Sequence, residues 1–589
     1  MMPTVGAARF RLDVGLVFAV ALALRVAHAL AVQGSILRDL ALGDAAVYLA
    51  WARAIASGDW LGSEVFYQAP LYPYALALFQ LAFGEGRTVL LIGQAVLGSL
   101  ACAVLVLAGE AWFDRRVGLV AGLLLAAYGP AIFFDGIVQK SVLDTLLVAL
   151  LLWTIALRTS GAALAAGAVS GLLALTRENT LLLAPLSLGW LAWPKGRARV
   201  ALVLVGLALP LAPVLLRNYT VGGELHVTTS QAGTNFWIGN HRGASGLYEP
   251  LVFSRGDAAV EASDANAIAA KALGHEPTPG EVSRYWLGRT RDDIAADPLA
   301  WMRLLGKKAA MAVNAVEWSD TEDLYTYGEV SPVLRLASSV AHFGIVAALA
   351  GVGLVVSRRR LREIWFLPAW SLAYGATVVL FFVAARYRHP LAPALCLFAA
   401  AGMVDIVRTW RERSPRERLV LAGVLATLLV AFNVPLGDRD AMRSTTWTNI
   451  GIARATDPAA ARASYERALE LDATSVRANV NLANLLLEEN PARSLALYDA
   501  ALERAPSIAF LWYNRGNALL RLGRADEAVA ANERAVALQP NRSTLIGLAL
   551  AQRAAGRRDD ALSTVERLLA LQPNDEAALR LRAMLRGPG

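Results

Sequence analysis

The chain has 589 residues, 56% hydrophobic and 18% charged, with 56 Lys and Arg against 48 Asp and Glu and a mean hydropathy of +0.44. Soluble globular chains carry about 45–50% apolar and about 25% charged residues, so this balance excludes a wholly soluble protein. From Gly437 onward, 20 Arg and 18 acidic residues occur in 153 positions, close to the soluble average, so the apolar surplus lies before Gly437. Only five basic residues are Lys, and no nucleic-acid-binding motif accompanies the basic balance, which excludes a nucleic acid partner. Cys102 and Cys396 lie inside apolar runs and read as small hydrophobes rather than a disulfide framework.

A bilayer-spanning helix needs about 20 mostly apolar residues. The first candidate, 14–33, follows Arg9 and Arg11, is longer than a signal-peptide core and has no clear small-residue cleavage site, so it reads as a retained span. Ten more follow at 88–109, 117–135, 140–158, 161–177, 180–195, 199–217, 337–357, 364–384, 390–408 and 417–435, which predicts eleven spans in an all-α membrane bundle. With the N-terminus inside, seventeen basic residues, Arg9 and Lys195 among them, fall in inner segments, and only Lys140, Arg177, Arg386 and Arg388 fall in short outer turns. The membrane domain is thus 1–435, with long extracytoplasmic loops at about 34–87 and 218–336.

The remainder, 436–589, repeats itself. Ala468-Leu469, Ala501-Leu502, Ala535-Val536 and Leu568-Leu569 are spaced 33, 34 and 33 residues apart, and Pro506, Pro540 and Pro573 keep the same step. Trp512, Gly516 and Leu519, followed by Ala528 and Pro540, approximate the tetratricopeptide pattern of paired helices. Three to four such pairs predict an α-solenoid with a concave face suited to a protein partner.

Polar residues at the mouths of membrane helices are where chemistry is expected, because ionisable groups near lipid are costly. They cluster in the outer segments. The first outer loop opens Gly43-Asp44-Ala45-Ala46-Val47-Tyr48, runs helix-like to Gly58, then reads Tyr67-Gln68-Ala69-Pro70-Leu71-Tyr72-Pro73, where the prolines predict a turn and a new amphipathic helix. Taken alone, Asp44 also suits a helix N-cap.

Here the sequence resembles the membrane glycosyltransferases of the C-type fold, in the branch of protein O-mannosyltransferases and bacterial lipid A aminoarabinose transferases. The resemblance covers most of 14–435 and rests on Asp44 with Tyr48, the Pro-Leu-Tyr-Pro segment at 70–73, Phe134-Asp135 and Arg386-Tyr387-Arg388-His389-Pro390. It implies transfer of a sugar from a polyprenyl-phosphate donor to a protein, lipid or glycan acceptor on the outer face, with inversion at the anomeric carbon. The lipid phosphate leaves as a stable anion and needs no acid, so one carboxylate can serve where glycosidases need two. The catalytic residues implied are Asp44 and Asp135. Those implied for substrate are Tyr48, Tyr67 and Tyr72, with Arg177, Arg386 and Arg388 as planar cationic forks for phosphate. Asp135 takes the place of a second functional carboxylate, for acceptor positioning or for binding a divalent cation (Mg or Mn); no other cofactor is implied, and no His/Cys spacing suggests a zinc site. The chain departs from the pattern in two places. Many relatives carry Asp-Glu at Asp44-Ala45, and the aminoarabinose transferases carry Glu-Lys at Tyr67-Gln68, so a phosphate contact made there by that Lys must come from elsewhere.

Blander readings stand beside these. Arg386, Arg388 and Arg177 suit headgroup anchoring by snorkelling, Arg177 has Glu178 as a neighbour, and Arg25 and His28 suit paired groups inside the first span. Asn235-Phe236-Trp237-Ile238-Gly239-Asn240-His241 reads as an aromatic loop able to close over substrate or to serve only as surface. Competing functions are a polyprenyl-diphosphate glycan polymerase or ligase, a flippase, and a non-catalytic scaffold presenting the repeats. The informative motifs lie in the first loop rather than a late one, no inverted repeat is evident, and eleven spans exceed what an anchor needs. The expected location is a bacterial inner or plasma membrane, with the N-terminus cytoplasmic and the repeat unit extracytoplasmic.

Overall fold

The computed structural model describes residues 5–192, 196–252, 258–319 and 321–587; Lys195, counted above among the inner basic residues, lies outside them. The chain forms two compact units, Met1–Gly437 and Asp438–Gly589, and no strand occurs among the described residues.

In the first unit the expected apolar segments are helical, but they are not all full crossings. Among the described residues, five helices are long and apolar enough to span: Phe10–Gln33, Arg87–Trp112, Arg197–Gly222, Pro332–Arg360 and Ala385–Thr409. A sixth forms if Arg115–Ala127 and Gly129–Asp135, bent by 59° at their junction, count as one. The expectation of eleven therefore exceeds what length and composition support. Ser141–Leu157, Ser160–Ala174 and Phe366–Leu380 have 15 to 17 residues, about 23–26 Å at 1.5 Å per residue, short of a hydrocarbon core of about 30 Å. The segment 180–195 divides into a 3₁₀ turn, Glu178–Leu183, and a nine-residue helix. Pro415–Asn433 opens its first turn with Arg416, Glu417 and Arg418, which dilutes its hydropathy.

Small residues let these helices approach closely. A Cβ on Gly109 would sit 2.5 Å from Gly118 Cα, and one on Gly167 would sit 2.2 Å from the Val203 carbonyl oxygen. The bend at Gly129 follows from Pro130, which supplies no amide donor to continue the preceding helix. It redirects the chain through Gly136–Gln139, so that Lys140 enters the site just ahead of Ser141–Leu157.

The two long segments expected to be outer loops are helical too. The first loop folds as Asp44–Ala56 and Leu71–Phe83, the latter starting after Pro70 as predicted. The second carries Ala232–Asn240, Ala258–Leu273, Pro279–Ala296 and Pro298–Val313.

The second unit runs as paired antiparallel helices from Arg439–Ala453 to Glu576–Arg586. Gly523 and Gly556, 33 residues apart, take positive φ of 72° and 75° at alternate inter-helix turns, the same turn of consecutive repeats, conformations natural to glycine. Tyr498, Leu519, Ala528, Leu545 and Val565 belong to one continuous core, the seam that stacked repeats bury.

Candidate active site

Asp44 is the first residue of its helix, behind Gly43 at φ 51°. A side chain on Gly43 would be strained at that φ and would press on Thr321, with 3.1 Å to its Oγ1. The capping expectation fails: the Asp44 carboxylate makes no cap bond but turns inward, accepting from Gln68 Nε2 at 3.0 Å and pairing with Arg386 Nη1. Burial opposes its ionisation, but the Arg386 and Lys140 charges outweigh that and hold the carboxyl below its ordinary value.

Arg177 is buried and donates from Nε to Asp144 at 2.7 Å and from Nη2 to the Arg386 carbonyl at 2.8 Å, while its guanidinium lies 4.9 Å from the Tyr387 ring centroid. Its Nη1 is buried without a hydrogen-bond partner among the described residues. Arg386 and Arg177 thus flank Tyr387, and the local Glu178 expected to pair with Arg177 instead accepts from Thr229 and Gln231, at 2.9 Å each.

Lys140 escaped notice as a site residue because its single charge served as a topological marker. It is 7% exposed, and its ammonium makes no hydrogen bond or ion pair among the described residues. Burial pushes it below the ordinary lysine value, against the pull of Glu178. Glu261 was also missed, since nothing in the helical pattern of the second loop distinguishes it. It accepts from Tyr67 Oη at 2.9 Å and from Tyr248 Oη at 2.5 Å, and burial pushes its carboxyl up against those two donors.

Three cavities surround these groups. One, of about 660 Å³, is polar and lined by Asp44, Tyr48, Gln68, Lys140, Glu261 and Arg386. A second, of about 1100 Å³, shares Lys140 and Tyr387 with the first and adds Arg177, then Leu181, Val378 and Phe381. The third, of about 550 Å³, shares Asp44 and Arg386 with the first and is walled by Phe133, Phe134, Trp318 and Glu322. The Asp44–Arg386 pair therefore faces two cavities at once.

Three expected site residues are placed elsewhere. Asp135 is buried in the bundle and accepts from Arg25 Nε at 2.6 Å; it lines none of the three cavities. Gly98 makes room for that pair, since a Cβ there would lie 1.9 Å from Asp135 Oδ2. Arg25 is paired inside the first span as expected, and Asp135 is the partner. His28 pairs with Ser331 through Nδ1 at 2.9 Å. Arg388 is fully buried and spent on the carbonyls of Met311, Ala312, Asn314 and Val316 and on Glu317 at 3.0 Å, so it fastens the chain rather than meeting lipid or donor. Tyr72 donates to Gln94 Oε1 and stacks edge-on against Tyr48 at 5.3 Å, supporting the one tyrosine of the motif that lines the cavity. The expected loop 235–241 is a helix instead. Asn235 on it lines the polar cavity, whereas His241 stacks on Trp237 at 4.4 Å.

Among the described residues no group of three or more His, Cys, Asp or Glu side chains is placed to hold a metal ion. Residues 67–216 match the family model described as dolichyl-phosphate-mannose-protein mannosyltransferase, and residues 509–542 match the tetratricopeptide repeat. The first of these matches is about a quarter of the chain. That segment holds Gln68, Lys140 and Arg177 but stops short of Asp44, Glu261 and Arg386. No curated protein matches the chain. Among solved structures, ArnT from Cupriavidus metallidurans bound to undecaprenyl phosphate is 17% identical, with 98% of this chain and 85% of that one covered and a TM-score of 0.38. The Archaeoglobus fulgidus oligosaccharyltransferase tethered with an acceptor peptide is 17% identical, with 82% and 58% covered and a TM-score of 0.38. The same archaeal enzyme, AglB, in complex with an inhibitory peptide and a dolichol-phosphate is 15% identical, with 81% and 59% covered and a TM-score of 0.36. This chain thus spans less than two thirds of the archaeal enzyme's length.

Proposed function

We propose that the membrane unit transfers a sugar from a polyprenyl-phosphate donor to an acceptor hydroxyl at the outer face of a bacterial membrane, with the N-terminus cytoplasmic and the repeat unit outside. The observation that carries this reading is Lys140, a buried lysine whose ammonium makes no hydrogen bond or ion pair among the described residues, at the junction of two cavities, joined by Arg177 with its unpartnered Nη1. A buried cation left unpaired is costly, and a phosphate dianion or diester anion is the ligand that satisfies both groups. The apolar end of the larger cavity, with Leu181, Val378 and Phe381, suits an isoprenoid chain. The sugar then occupies the polar cavity, and the acceptor approaches Asp44 from the Trp318 side.

In the reaction the acceptor oxygen forms the new bond to the anomeric carbon as the bond from that carbon to the phosphate oxygen breaks. The hydroxyl proton passes to Asp44, and the electron pair leaves with the lipid phosphate, whose charge Lys140 and Arg177 meet. Attack opposite the leaving group inverts the anomeric centre. Arg386 keeps Asp44 ionised and aimed, and Gln68 holds its other oxygen. The repeat unit serves to hold a protein partner or the acceptor near the membrane.

The test is turnover of a panel of undecaprenyl-phosphate sugars by the purified protein, wild type against Asp44→Asn at matched folding. A loss of about 10²–10⁴-fold is expected for a missing general base. Full activity in Asp44→Asn overturns the assignment of the base, and no turnover of any donor, with no binding of undecaprenyl phosphate, overturns the reaction class. Because protein cations meet the phosphate charge, activity is expected to survive dialysis against EDTA, and recovery only on adding Mg or Mn would instead place a divalent cation in the step.

A further inference from the structure

Glu261 is a buried carboxylate whose partners are two phenols. Tyr67 Oη donates to Oε1 and Tyr248 Oη to Oε2, and no cation pairs with it among the described residues. It stands on Ala258–Leu273, in the second outer loop, yet lines the polar cavity that Asp44, Gln68 and Lys140 line from the first loop and the bundle. Nothing in the transfer chemistry uses it: the base is Asp44 and the phosphate cations are Lys140 and Arg177.

An ionised carboxylate has about four acceptor positions, two on each oxygen. The tyrosines fill one on each, which leaves one on Oε1 and one on Oε2 for donors arriving from the cavity. Two adjacent oxygens, each with one remaining position, match two neighbouring hydroxyls of a sugar ring. The phenols fix the carboxylate's plane, so little side-chain freedom is lost when the sugar binds. The rest of the wall is amide and phenol: Gln68, Gln231, Asn235 and Tyr48, groups that accept or donate to neutral hydroxyls. The two cations on this wall are already committed, Arg386 to Asp44 and Lys140, on the reading above, to the donor phosphate.

We propose that Glu261, held by Tyr67 and Tyr248, is the specificity-determining residue for the donor sugar and reads a pair of adjacent hydroxyls on a neutral hexopyranose. The inference rests on the polyprenyl-phosphate reading and deepens it. A cationic amino sugar would meet the same carboxylate as an ion pair rather than through two hydroxyls, so the two sugar classes are separable by experiment.

The test measures affinities of the full-length protein in nanodiscs for bare undecaprenyl phosphate, for undecaprenyl-phosphate mannose and glucose, and for an undecaprenyl-phosphate amino sugar, in wild type, Glu261→Gln and Tyr67→Phe. At least one neutral hexose donor is expected to bind wild type tighter than the bare lipid phosphate. That advantage is expected to fall about 10- to 100-fold in Glu261→Gln, the worth of hydrogen bonds to a charged group, and partly in Tyr67→Phe. Bare undecaprenyl phosphate is expected to bind all three proteins alike, which also shows that the variants are folded. Retention of the hexose advantage in Glu261→Gln overturns the assignment, as does tighter binding of the amino sugar than of either hexose. If bare undecaprenyl phosphate binds wild type but neither hexose improves on it, the hydroxyl reading falls while the lipid-phosphate reading stands. If bare undecaprenyl phosphate itself does not bind wild type, the lipid-phosphate reading falls and this one with it.

Discussion

Replacing Lys140 by Met separates a ligand-binding lysine from a structural one by two effects. The side chain is buried with no hydrogen bond or ion pair among the described residues; Glu178, Asp144 and Asp44 attract its charge at longer range, yet burial outweighs them and lowers its proton affinity. Met keeps the stem's volume and relieves desolvation while giving up only that longer-range attraction, so the unfolding midpoint in nanodiscs is expected to stay close to that of wild type. Undecaprenyl phosphate, in contrast, loses one charge-assisted hydrogen bond, about 1.5–3 kcal/mol, or about 10- to 150-fold in Kd. The loss also has a pH signature. Only the protonated amine attracts phosphate, and burial has moved its titration below that of an exposed lysine. Wild-type affinity therefore declines as pH rises through that lowered value, and the decline is absent in Lys140→Met. A variant that unfolds more readily while binding the lipid phosphate unchanged would refute the reasoning, since Lys140 would then be holding the bundle together.

Arg388 behaves oppositely: Arg388→Met strands Glu317 and the 311–316 carbonyls, and is expected to cost about 3–5 kcal/mol in chemical denaturation, with the donor affinity of the remaining folded protein little changed. On acidification Glu261, raised by burial above its ordinary 4.5, takes its proton before Asp44, which is held below 3.8. The acid limb of hexose-donor binding is therefore expected above pH 4.5 in wild type and at lower pH in Glu261→Gln, measured by titrating affinity against pH. Deleting 440–589 is expected to leave undecaprenyl-phosphate binding intact and to reduce transfer to the native acceptor; unchanged transfer would count against a recruiting role for the repeats.

What the sequence by itself determined is what depends on near neighbours. Apolar runs long enough for lipid, the 33-residue step of the repeats, and the helix starting after Pro70 follow from composition and spacing within one or two turns. Asp44 stood out because it follows the first span within a short motif. The tertiary structure decided the partners. Asp44 meets Arg386 across 342 positions, and Tyr67 meets Glu261 across 194, distances over which no local pattern carries information. It also sorted charges of identical type. Arg177 and Arg388 look alike in sequence, and each keeps one nitrogen without a hydrogen bond among the described residues, yet Arg177 lines the larger cavity while Arg388 lines none of the three and holds four carbonyls and Glu317. Asp135 and Lys140, five residues apart, exchanged roles for the same reason. Arg25 lay within ion-pair reach of Asp135, whereas Glu178, Asp144 and Asp44 attract Lys140 only at longer range, without a direct pair among the described residues. A buried charge without a direct partner is visible only when all its neighbours are in place.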